Sequence, residues 1–183
     1  MCDNGKIFIN AVLKRKEENK KAFSWLMEEK LYSLIGSILR LELDSLIRVA
    51  YLNSINDINQ MECLLKQFNK GKRWKYEKQL ITDRAMLNNV MWNLGLGWAQ
   101  PIYDICCAFI HLSPYHDWGE IEPTRAISDL ERSSIVQYVK EQQNICLAND
   151  FEFSDLVKIS SGVFDKLHRN LECEIENFKQ KFA

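Results

Sequence analysis

Residues 24–54 read SWLMEEKLYSLIGSILRLELDSLIRVAYLNS. Leu31, Leu34, Ile35, Ile38, Leu39, Leu43, Leu46, Ile47, Val49 and Ala50 recur at helical spacing and cover most of the circumference. A helix that is apolar nearly all round belongs in the middle of a bundle. The pattern predicts one long central helix over about 24–54, with other helices packed against several of its sides.

The flanking sequence supplies those helices. Ile7, Phe8, Ala11, Val12 and Leu13 open an amphipathic helix, and a charged stretch from Lys14 to Lys21 follows it. Asp57 is placed to cap a shorter helix through Met61, Leu64, Leu65 and Phe68. Thr82 or Asp83 starts another, which Gly95 and Gly97 stop. Pro101 suits the first turn of a helix running from Ile102 to about Leu112, and Ser113-Pro114 ends it. Residues 114–124 read as a loop. Ser128 and Glu131 form a capping box for a helix to about Gln143, and Ser154 is the expected cap of a last long helix through Phe178. The expected fold is all-α: a helical bundle of six or seven helices, with no convincing strand.

Composition agrees. Seven Gly and three Pro in 183 residues are too few for a protein of many tight turns. No linker or repeat divides the chain, so residues 1–183 read as a single domain. No stretch is apolar for long enough to span a membrane, and the N-terminus lacks the basic-then-apolar order of a signal peptide. Six cysteines without a Cys-x-x-Cys pair suggest small core residues in a reduced, cytoplasmic protein. Charge is uneven: the first 80 residues carry fifteen Lys/Arg against ten Asp/Glu, whereas the remainder carries nine against fifteen. Such a division suits either an anion-binding half or solvated helix faces.

Three constellations hold chemistry-bearing residues. On the central helix, Arg40, Asp44 and Arg48 follow at i, i+4 and i+8, while Glu42 lies about 200° round from Arg40, among Ile35, Ile38, Leu46 and Val49. A carboxylate on an apolar stripe is costly unless paired, so Glu42 is either a tuned acid–base group or a structural acid holding a partner from another helix. The second constellation is the run from Tyr103 to Trp118, which contains His111 and His116, two of the three histidines. The third is Lys70 to Lys78, where Lys72, Arg73 and Lys75 interleave with Trp74 and Tyr76. That mixture suits phosphate contacts with base stacking, and equally a solvated loop with Trp74 packed inward. His168 reads as a surface or interface residue. No metal-ligand spacing, Walker loop or other cofactor motif is present, so no metal or cofactor is expected.

The segment from Arg40 to Leu52, followed by Tyr103, Cys106, Ile110, His111 and Ser113 in a Tyr-x-x-small-x-x-x-(Val/Ile)-His-x-Ser arrangement, resembles prokaryotic branches of the HEPN superfamily over about residues 30–115. The resemblance implies a helical bundle, often a homodimer, in toxin–antitoxin, abortive-infection or other phage-defence systems. It also implies, for active members, metal-independent ribonuclease activity with an arginine separated from the histidine by four to six intervening residues. Here those positions are Asp104, Ile105 and Cys106. Two readings follow. In one, the chain is an endoribonuclease with His111, Glu42 and His116 as acid–base groups and Arg40 or Arg48 as the phosphate clamp. In the other it is a non-catalytic interaction or regulatory module that meets a partner protein. A nucleotide-binding sensor is a third, lesser reading.

Overall fold

The computed structural model describes residues 3–110 and 122–181. Among them are seven α-helices: α1 (Asp3–Glu28), α2 (Tyr32–Ser54), α3 (Ile58–Asn69), α4 (Asp83–Leu94), α5 (Ala99–Ile110), α6 (Asp129–Gln143) and α7 (Phe153–Gln180). A 3-10 turn spans Pro123–Ala126. The expected all-α bundle is the observed architecture. α2 is its axis, packing against α1, α4, α5 and α7. Leu43, Leu46, Val49, Ala50 and Leu52 on it are wholly excluded from solvent.

The central helix is shorter than its apolar pattern. Residues 24–28 belong to α1, which runs unbroken through the charged stretch 14–21 because Val12, Lys16, Asn19, Phe23 and Leu26 keep one buried stripe. The break is a Schellman turn: the Leu31 N–H donates to the Leu26 carbonyl (2.9 Å) and the Lys30 N–H to that of Met27 (3.3 Å), with Lys30 left-handed at φ 56°. Glycine usually holds that position, so a lysine there leaves little trace in the sequence.

Most caps match their residues. Asp57 accepts from the Asn59 N–H, Thr82 from the Ala85 N–H, and Ser128 with Glu131 closes a capping box. The last helix starts earlier than expected: Glu152, not Ser154, is the N-cap, reciprocally bonded with Asp155. α5 likewise begins at Ala99, so Pro101 lies within its first turn rather than opening it. A two-stranded hairpin, β1 (Lys75–Tyr76) with β2 (Gln79–Leu80), was not expected. Glu77 and Lys78 turn it with both φ values positive, the type I′ pattern that normally calls for Asn-Gly.

Candidate functional site: two polar networks on opposite sides of the central helix

The arginines of α2 face α4 and α5. Arg40 and Arg48 share Asp83, the first residue of α4: Arg40 Nη2 donates to its Oδ2 (3.0 Å) and Arg48 Nη2 to its Oδ1 (2.7 Å). Asp44 lies between them along the helix, taking Arg48 Nε at 3.1 Å and Arg15 of α1 at 3.0 Å. Arg40 is 7% exposed and its guanidinium stacks 4.3 Å from the centre of the Tyr103 ring on α5. Arg84 lies over the same ring at 4.8 Å and donates to Asp104 at 2.7 Å.

Burial opposes the charge on Arg40, but Asp44, then Cys107, Tyr103 and Asp83, outweigh it, and its pKa is raised. Burial also raises the Tyr103 phenol, against the pull of Arg40. The guanidinium is therefore a fixed cation held against α5, with one buried donor, Nε, lacking a hydrogen-bond partner among the described residues.

Glu42 faces the other way. It is completely buried, its Oε2 accepting from Asn19 Nδ2 of α1 (2.8 Å) and its Oε1 lying 2.9 Å from His168 Nδ1 of α7. The His168 ring stacks on Phe164, and Phe164 in turn stacks on Phe23. His168 Nε2 lies 3.9 Å from Glu172, which accepts from the buried Lys16 at 2.7 Å. That bond, with the surrounding charges, holds the Glu172 carboxyl below the ordinary range. Glu42 thus takes the structural arrangement open to it: an acid gripped by partners on two other helices. Among the described residues no hydrogen bond or ion pair joins it to Arg40 or Arg48.

His168 does not lie free at the surface; it closes this network. Its signal was in the sequence, since residues 164, 168, 171 and 175 follow at helical spacing and the other three are buried. Asn19 and Lys16 sit on the buried stripe of α1 and were hidden by the charges around them. Nothing in the spacing of Asp83 announces its bonds to α2.

The basic stretch divides by side. Lys72, Arg73 and Lys75 are exposed, whereas Trp74 is 3% exposed, its ring beside Phe8 and Tyr51 with the Arg48 guanidinium over it. No face of Trp74 is open for a base to stack on. Tyr76 is half-buried and donates to Asp57 at 3.3 Å. His111 and His116 lie outside the described residues. No group of three metal-ligating side chains comes together among the described residues, and none of the described helices is long and apolar enough to cross a membrane. No family model, curated protein or solved structure matches the chain.

Proposed function

We propose that this chain is a non-catalytic, HEPN-like interaction module of a prokaryotic defence or toxin–antitoxin system, acting in the cytoplasm through a protein partner. One observation carries the reading: Arg40 and Glu42, the α2 residues best suited to cut RNA, face opposite sides of the helix and are each bound into a separate network. General acid–base catalysis needs the proton-transfer group and the charge clamp within reach of one scissile bond. Trp92, at 87% exposure on α4, and Trp25, at 55% on α1, are the kind of aromatic anchor that protein partners bury.

A second reading keeps one specific support. Arg40 rests against Tyr103 and beside Cys107, and the same i, i+4 spacing along the chain continues to His111. In this reading Arg40, whose Nε has no hydrogen-bond partner among the described residues, substitutes for the arginine that the sequence lacks before His111 in a metal-independent endoribonuclease, which a homodimer would complete. Incubating wild type, His111→Ala and Arg40→Lys with total RNA in EDTA separates the two. Uncut RNA from folded wild type supports the module. Cleavage by wild type that both substitutions abolish overturns it in favour of the ribonuclease.

A further inference from the structure

The hairpin β1–β2 offers its two edges unequally. The Ile81 N–H donates to the Trp74 carbonyl at 2.9 Å, which makes Trp74 and Ile81 a hydrogen-bonded pair at the base of the antiparallel ladder. Bonded pairs alternate with non-bonded ones, so the next pair, Lys75 with Leu80, turns its main-chain groups outward on both edges. At Lys75 those groups are taken. Gln67 of α3 accepts from its N–H at 2.7 Å and donates to its carbonyl at 2.8 Å, as a neighbouring strand would. At Leu80, which is 44% exposed, nothing among the described residues takes them. With Trp74 enclosed beside Phe8 and Tyr51, and Gln67 clamping the other side, this open edge is held in place before any partner arrives.

The charge around it is largely of one sign. Lys72, Arg73, Lys75 and Lys78 are exposed, and no hydrogen bond or ion pair engages their side chains among the described residues. Glu77 is the one acid between positions 70 and 80. Lys75, paired across from Leu80, projects from the same side of the hairpin as Leu80 does. Cations along a strand edge repel a second copy of that edge. A strand that carries carboxylates meets no such barrier, and its own N–H and C=O groups match those of Leu80. RNA would meet the same cations, but it has no use for a main-chain edge, and the Trp74 ring is closed to its bases. We infer that the Leu80 edge is a docking site for an extended, acidic peptide segment of a partner protein, which adds a third strand beside β2 and sets its carboxylates against Arg73, Lys75 and Lys78. This site rests on the reading of the chain as an interaction module, to which it adds the chemistry of the partner.

The test uses a blocked peptide of alternating glutamate and valine, with a lysine–valine counterpart and oligouridylate beside it, each titrated into the full chain while backbone amide resonances are followed. The acidic peptide is expected to shift Gln79 and Leu80 most, and the basic one not to bind. Leu80→Pro removes an outward N–H that the ladder does not use, and should weaken the acidic peptide about three- to tenfold, the worth of one hydrogen bond. Arg73→Gln with Lys75→Gln should weaken it about fivefold, the worth of two exposed ion pairs. The inference is overturned if the basic peptide binds as well as the acidic one, if the shifts lie away from Leu80, if either folded variant binds like wild type, or if oligouridylate alone moves the Leu80 amide. Where Leu80→Pro fails to fold, the glutamine variant and the place of the shifts decide. No peptide binding, with RNA left uncut in EDTA, overturns this site and leaves the module standing, whereas cleaved RNA overturns the module.

Discussion

Glu42 Oε1 stands 2.9 Å from His168 Nδ1, joining the middle of α2 to the middle of α7 across 126 residues of chain. Asn19 also donates to Glu42 at 2.8 Å, so the acid keeps one bond when His168 is removed but loses its partner on α7. Removing one partner of such a pair strands the other. His168→Ala should therefore destabilise by about 3 kcal/mol, and Glu42→Leu with His168→Leu together by distinctly less. Urea unfolding of the wild type, the two single variants and the double variant checks this; a double loss equal to the sum of the single losses would show that the pair is not coupled.

The aromatic residues give a second prediction, about access. Trp74 is enclosed, while Trp92 and Trp25 are open to solvent. Acrylamide should quench only part of the native emission. Trp92→Phe should remove quenchable signal, and Trp74→Phe should remove blue, protected signal. Replacing Lys72, Arg73 and Lys75 with alanine should leave the protected fraction intact, since those side chains point outward while Trp74 does not.

Thiol chemistry follows the same division. Burial pushes the Cys106 thiol up to about 12, whereas Cys146 and Cys173 are exposed. Thiolate is the reacting species, so an aromatic disulfide reagent at pH 8 should label Cys146 and Cys173 on the native protein. Cys106 should react only after denaturation, as mapped by mass spectrometry of peptides.

Acid should loosen the start of α7. Burial works against the Glu122 charge, but the Thr124 hydroxyl and amide and the Phe153 amide all donate to it, and its pKa falls below the ordinary value. A carboxyl lowered by folding stabilises fully above its unfolded value, about 4.3, and the contribution fades as pH drops through the lower folded value. Glu122→Gln should cost about 1 kcal/mol at pH 7 and approach the wild type at the acid end of the range. Urea midpoints across pH 7 to 3 measure the convergence.

What could be seen in the chain beforehand was local. The apolar stripe of α2, the Asp57, Thr82 and Ser128 caps and the Gly95 stop are each written in a few adjacent residues, and each led to the element found. The α1–α2 break and the hairpin turn were not legible, because Lys30, Glu77 and Lys78 adopt left-handed backbone that their side chains do not advertise. The site divided similarly. That Arg40 and Glu42 lie on different sides of α2 follows from 100° per residue. That Asp83 and His168 are what they meet depends on how distant helices dock, which periodicity does not encode.

The two networks have a mechanical meaning for α2. Arg40 and Arg48 tether it toward α4 and α5, and Glu42 tethers it toward α1 and α7, from nearly opposite sides. Like a shaft keyed in two facing slots, the helix has no sense of rotation that relaxes one tether without straining the other. α2 is thus the fixed part of this bundle. α3 and α6 contribute no side chain to either network among the described residues, so neither is keyed to α2 in this way.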